Sequence, residues 1–347
     1  MRETEKGEDV GEGRWIEFAV SPDRKMKAEI KKVQLKKLKL DPRNVRFHHL
    51  PGMLTDKEIE DRIWLENDTK ALFREILASK GLTEPPMIDS TFLTREGNRR
   101  VVCLRKLSER THNGEYPGFE EDWWDSVLCY VLEPGTPEKD IAILLGRVHV
   151  SGKKEWRALN QAAHLWELAE KHGLTQDDVR SLFSMSKVTV NRMIRAFQAT
   201  TDYGKAFPED KDWVAKFSYF YELYKRPKLA EWADNNGNLA LFSKWIVAGK
   251  LERGMDVRQL PDIIANPEAL AAMDNGGVKS AVKVLARTDP SVESKFFGRV
   301  KDMIDALNEV PREELIAATS DDARRQALVN LRSTVDDVLK NVEALKG

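Results

Sequence analysis

Alternation of apolar and polar positions opens the readable part of the chain. Trp15–Val20 alternates and predicts a short strand, and Val33–Leu40 predicts a second with Val33, Leu35 and Leu38 inward. Asp41-Pro42-Arg43-Asn44 then predicts a turn, because proline fixes φ and Asp and Asn bond the local backbone. Thr55-Asp56-Lys57-Glu58 is a capping box that predicts a helix running to about Leu65. A second helix over Thr69–Ser79 gathers Leu72, Phe73, Ile76 and Leu77 on one face and stops at Gly81. Pro85-Pro86 excludes helix; Met87–Thr94 then reads as a strand, Arg99–Arg110 as a helix burying Val102, Cys103 and Leu107, and Ser126–Leu132 as a buried strand. Pro137–Leu145 is a short helix, and the mixed region stops near Val150.

From Lys153 the period is helical. Segments Lys154–His172, Thr175–Phe183 and Lys187–Gln198 come first, and further helices follow with breaks at Pro208, Pro227, Gly237, Pro261, Pro267, Gly276-Gly277 and Pro290. Near the end, Leu328, Leu331, Val335, Val338, Val342 and Leu345 follow the 3,4 spacing of a heptad seam, which suits either dimerisation or packing on the same domain. The expected organisation is a tail with a short strand (1–28), an α+β domain (29–150), an all-α helix-turn-helix domain (151–202) and a helical C-terminal domain (203–347).

Composition sets outer limits. The 347 residues hold 41% hydrophobic side chains, enough for real cores, and no apolar run of the length a membrane helix needs. With only Cys103 and Cys129, a disulfide scaffold or cysteine-rich zinc site is excluded, and with no apolar leader segment the expectation is a cytoplasmic protein. The net charge of −1 argues against a nucleic-acid binder only if charge is evenly spread. It is not: Arg24–Lys39 holds eight basic residues against Glu29, whereas Glu115–Asp125 holds five acidic residues and no basic one.

Glu96-Gly97-Asn98-Arg99-Arg100 lies at a strand-to-helix turn. A glycine turn, free amides at a helix start and two guanidinium groups make an anion site; a solvated helix end is the plainer alternative. The order DPRNVR (41–46), GLTEPPMID (81–89) and EGNRRVVCLRKL (96–107) resembles the N-terminal domain of the ParB family of chromosome- and plasmid-partition proteins over about residues 30–150. The resemblance implies a ParB/sulfiredoxin-like fold, CTP with Mg²⁺ as ligand, a dimeric clamp on double-stranded DNA, a nucleoid-associated location and, as an open alternative, CTPase activity. By position it implies nucleotide contacts from Gly81, Leu82, Thr83 and Pro85 and from Glu96, Gly97, Asn98, Arg99 and Arg100. Glu84 replaces the Gln common in the family. The E-N-x-Q-R segment and its magnesium ligand have no counterpart in residues 144–156, where Arg147, His149, Lys153 and Lys154 are the remaining phosphate candidates. Asn98 stands where sulfiredoxin has its catalytic cysteine, which removes that chemistry.

Thr175 caps the next helix, with Asp177 and Asp178 in its first turn, and Ser186 caps the one after. Two short helices with a tight turn fit a helix-turn-helix, whose second helix enters the major groove; a polar-faced helical bundle is the alternative. Thr175, Gln176, Ser186, Lys187, Thr189, Asn191, Arg192 and Arg195 are the DNA-facing candidates, in a region (153–199) carrying eight basic and five acidic residues. Arg180 and Ser184 depart from the small residue and glycine usual at a helix-turn-helix crossing. A GLTQ-x-x-V helix directly after the first domain again follows ParB order. A nuclease using metal on Glu96 or Asp89, and an adaptor without ligand, are the competing readings. His48-His49 lacks metal-ligand company, Trp123 and Trp124 suit a partner surface, and P-loop, nucleophile-elbow and dinucleotide motifs are absent from the sequence.

Overall fold

The computed structural model describes residues 14–21, 23–47, 52–150, 157–235, 237–308, 310 and 312–345. The expected tail (1–13), His48-His49, and Lys153 and Lys154 with the start of the helix expected there lie outside the described residues.

The N-terminal part is α+β. Strands β1 (Arg14–Ser21) and β2 (Arg24–Gln34) form an antiparallel hairpin, followed by β3 (Lys39–Leu40), α1 (Asp56–Leu65), α2 (Asn67–Ser79), β4 (Met87–Ile88), β5 (Leu93–Glu96), α3 (Asn98–His112), β6 (Ser126–Leu132) and α4 (Glu138–His149). The mixed sheet runs β1-β2-β6-β4-β5-β3, with β6 parallel to β4 and β3 parallel to β5. Helix α3 is the buried spine, with Val101, Val102, Cys103 and Leu107 fully enclosed; each such apolar side chain contributes roughly 1.5–3 kcal/mol. Burial alone pushes the Cys129 thiol up to about 12, and burial outweighs two nearby cations to push Cys103 equally far.

Three elements differ from expectation. The basic segment from Arg24 is itself strand, and the strand expected over Val33–Leu40 stops at Gln34. A single 3-10 turn then follows at Leu35–Lys37. Three-residue spacing lets both Leu35 and Leu38 point into the core, a pattern that imitates alternation at only one of the two positions. The strand expected over Met87–Thr94 is two short strands around a turn. There Asp89 accepts from the Thr91 amide (2.8 Å) and hydroxyl (2.7 Å), and Phe92 takes φ 65°. Helix α2 ends on Lys80 in the left-handed region, one residue before the expected Gly81. Trp124 is buried beside Phe119, while the exposed Trp123 donates its indole N–H to the Lys80 carbonyl (3.3 Å), so the acidic loop is anchored by its aromatics.

Helices α5 (Ala158–Glu170), α6 (Gln176–Phe183) and α7 (Lys187–Ala206) follow, then α8 (Phe217–Lys225), α9 (Pro227–Asp234) and α10 (Asn238–Val247). Helix α7 runs two turns beyond the expected Gln198 because Ala199, Thr200 and Tyr203 continue its buried stripe. The chain up to Ala248, with Glu252–Arg258, forms one compact unit.

The second unit comprises Gly249–Leu251 and the chain from Gln259: α11 (Leu260–Ala265), α12 (Pro267–Leu285), α13 (Lys295–Asn308), α14 (Arg312–Ser320) and α15 (Asp322–Ala344). Pro267 opens α12, and Gly277 (φ 76°) kinks it where a break was expected. Leu328, Val335, Val338 and Val342 of the heptad seam are exposed along α15, as is Leu345 just past its end, while Leu331 is half-buried, so packing within the unit leaves most of the seam open. Among the described residues, no helix is long and apolar enough to cross a membrane.

Candidate functional site

The β5–α3 turn is built by Gly97. Its φ of 94° suits glycine, and a Cβ there would sit 3.0 Å from Pro86 Cβ and 3.1 Å from the Pro86 Cα. Helix α3 therefore starts without a side-chain cap on its first amides, beside a cavity of about 520 Å³. Of the residues expected at this site, Gly81, Thr83, Glu96, Gly97, Asn98, Arg99 and Arg100 line the cavity, as does Leu82. Pro85 stands behind the lining, and its carbonyl accepts from Arg100 (3.3 Å).

The lining side chains have different tasks. Arg100 is buried: it donates to the Glu84 carbonyl (2.7 Å), pairs with the Glu84 carboxylate (3.2 Å) and pairs closely with Glu96 at the end of β5. It thus clamps the 84–85 segment to the start of α3. Glu96 also meets His149 Nε2 at 3.4 Å. Burial would raise the Glu96 pKa, but His149 and Arg100 outweigh it and hold the carboxyl at about 2. Asn98 is a splice: its Oδ1 accepts from the Asp41 amide (3.0 Å) and its Nδ2 donates to the Thr94 carbonyl (3.1 Å). Arg99 keeps a third of its side chain exposed and has Asp68 at 3.8 Å.

Further lining residues were not singled out from the sequence. Arg43 and Arg46 lie within DPRNVR, and Arg95 directly precedes the glycine turn; His164, Glu167, Lys171 and His172 come from α5 and the loop after it. The signal available for the first three was arginine density around the turn. For the α5 residues there was none, since their approach depends on tertiary packing. Leu72, Ile76, Leu82 and Leu145 give the cavity an apolar part.

A magnesium ion held by the protein does not fit this lining. Of its six carboxylates, Asp41, Glu84, Glu96, Glu138 and Glu167 are each ion-paired with Arg or Lys, and Glu75 is exposed. No group of three or more His, Cys, Asp or Glu among the described residues is arranged for a metal. Of the other phosphate candidates, Arg147 donates to the Ala19 (3.0 Å) and Val20 (3.3 Å) carbonyls of β1 and His149 faces Glu96.

Helices α6 and α7 are joined by Ser184-Met185-Ser186, with Ser184 at φ 54° where glycine is usual. Thr175 caps α6 in a full capping box with Asp178, placing Gln176 as the first helical residue. Ser186 accepts from the Thr189 amide (3.1 Å), and their hydroxyls lie 2.8 Å apart. Val179 and Phe183 of α6 and the Val190, Met193 and Phe197 stripe of α7 are buried where α5, α6 and α7 pack together. The DNA-facing candidates separate here. Lys187 is exposed beside Asp177 (3.4 Å) and Asn191 is half-buried. Arg192 donates to the Lys225 carbonyl of α8 (3.2 Å), and Arg195 pairs with Asp234 of α9 while lying 4.2 Å over the Tyr224 ring.

No protein-family model matches the chain, and no curated protein matches it. Its solved structural neighbours include ParB chromosome-partitioning proteins and a ParB-N domain. The C-terminally truncated ParB of Caulobacter crescentus complexed to the centromeric parS site is 13% identical, with 66% of this chain and 97% of that chain covered at a TM-score of 0.32. The same truncated protein complexed with CTP-gamma-S is 14% identical (59% and 96% covered, TM-score 0.23). A Pnob8-like ParB-N domain is 12% identical (73% and 99% covered, TM-score 0.40). The α+β domain followed by all-helical regions agrees with the fold class expected from the sequence.

Proposed function

We propose that the chain is a ParB-like DNA-binding protein whose grip on DNA is switched by a nucleoside triphosphate, CTP by resemblance, bound in the cavity at the start of α3. The observation that carries this reading is the sharing of helices between cavity and DNA-facing pair. Helix α4 supplies Glu138, Ala142, Leu145 and His149 to the lining, and its Gly146 lets the Phe183 ring of α6 approach to where a Cβ would be 2.7 Å away. Helix α5 supplies His164 and Glu167 to the lining and packs Trp166 on Phe197 of α7, ring centres 5.7 Å apart. A ligand that pulls on α4 or α5 therefore pulls on the element that would enter the groove.

In this reading the base lies among Leu72, Ile76, Leu82 and Leu145. Arg99 and the uncapped amides of α3 take the phosphates. Arg100 and Glu96 neutralise one another and hold the loop, and magnesium would arrive on the phosphates, its usual manner with nucleotides. Lys187, Thr189 and Asn191 face DNA. The open seam of α15 supports self-association, which a clamp requires. The nuclease alternative draws no support from its two carboxylates. Glu96 is held by Arg100 and His149, and Asp89 accepts from Thr91 and has Arg95 at 3.6 Å. Isothermal titration with each of the four ribonucleoside triphosphates, with and without duplex DNA, tests the switch. Heat with one nucleotide that changes when DNA is present is the expected result. Silence with all four reduces the proposal to a plain DNA binder.

A further inference from the structure

Val188 is the feature of α7 that the fold does not use. The helix buries Val190, Met193, Ala196 and Phe197 along one stripe, and Val188 lies off it, 64% exposed in the first turn. A β-branched residue in a helix loses rotamer freedom, and here no burial offsets that loss. Scattered exposed apolar side chains are ordinary on a protein surface. What sets this one apart is its place, next to the Ser186 cap at the end of the helix that a helix-turn-helix presents to base edges.

Its neighbours narrow what it could meet. On the same side of α7, Arg192 and Arg195 are tied to α8 and α9, which leaves the exposed Lys187 and Val188 and the half-buried Asn191 in the first two turns. In the major groove one group is apolar: the C5-methyl of thymine, read by aliphatic side chains. One turn on, the Asn191 carboxamide carries the donor and acceptor that match adenine N6 and N7. Resting on the DNA-binding reading above, we infer that Val188 is a specificity residue that packs on a thymine methyl, so that this helix reads an A·T pair in its site.

The test starts from the full chain and a random duplex library, from which bound sequences are enriched. Each thymine of the enriched site is then replaced by uracil, which removes only the methyl. The expected result is one thymine whose replacement weakens wild-type binding about fourfold, the factor that corresponds to burying one methyl group. That sensitivity should vanish in Val188→Ser and persist in part in Val188→Thr, which keeps one methyl. Both variants should match wild type in urea unfolding, since the side chain is exposed. Uracil sensitivity unchanged in Val188→Ser, no sensitive thymine, or DNA retained without any enriched sequence would each overturn the assignment while leaving DNA binding in place. Failure to retain any DNA would overturn the DNA-binding reading itself, and this assignment with it.

Discussion

The starts of α3 and α7 share a left-handed approach and nearby arginines but differ in their caps. Each begins after a left-handed residue, Gly97 at the cap of α3 and Ser184 just before the turn into α7, and each carries arginines within its first three turns. At α3 the cap position has no side chain, so the amides stay open to a cavity. At α7 Ser186 closes the cap, so the helix offers side chains rather than backbone. In both, rotation around the helix sorts the cations. Arg100, Arg192 and Arg195 turn toward neighbouring elements and hold them, while Arg99 and Lys187 stay at the surface. An arginine in either segment can thus be part of the frame, tied to a neighbouring element, while another cation of the same helix stays exposed.

The sharpest way to break this contrast is to exchange the roles of Arg99 and Arg100. Arg100→Ala should lower unfolding free energy by about 3 kcal/mol, because the half-buried Glu96 is left with His149 alone and the 84–85 segment loses its clamp. Arg99→Ala should stay within about 0.5 kcal/mol of wild type. Equal costs in urea unfolding would mean the two arginines are not divided between frame and ligand.

The next effect is in acid. The folded-state pKa of Glu96 lies at about 2, below the ordinary 4.5, so its contribution is present above pH 4.5 and is lost as pH falls toward 2. By pH 3 the loss should reach about 2 kcal/mol relative to pH 6. Glu96→Gln should lack that portion, read as a smaller shift of the urea midpoint between the two pH values. A full-sized shift in the variant would place the acid sensitivity elsewhere.

Smaller effects probe the start of α7. Ser186→Ala should cost about 1 kcal/mol through the lost cap, with fluorescence of Trp166 in the α5–α7 core a convenient reporter. Lys187→Ala should leave stability nearly unchanged but reduce the slope of log affinity for DNA against log salt by about 1, as removal of one phosphate contact does. An unaltered slope would take Lys187 off the DNA.

What was legible in the sequence was local. The capping box at Thr55–Glu58 and the Thr175 and Ser186 caps are complete within four residues, and all three form as the pattern predicts, with Asp178 adding the reciprocal bond at Thr175. The helical face of α3 was equally readable, since 3.6-residue spacing places Val102, Cys103 and Leu107 together without outside help. The task of each arginine was not. Arg100 depends on Glu84 and Pro85, Asn98 on Asp41 across 57 positions, and Arg195 on Asp234 across 39, none of which spacing discloses. The contribution of α5 to the cavity was hidden for the same reason. The break at Gln34 was missed because a 3-10 turn keeps leucines inward at a spacing that only partly mimics a strand.

The cavity beside Arg99 is proposed to take a nucleoside triphosphate. Titration of CTP in Mg²⁺ into wild type, Arg99→Ala and Arg99→Lys puts this to the test. Saturable heat in wild type, weakened in Arg99→Lys and lost in Arg99→Ala at unchanged stability, is the predicted result. Equal heats in wild type and Arg99→Ala, or no heat in wild type with CTP or any other nucleoside triphosphate, would contradict it.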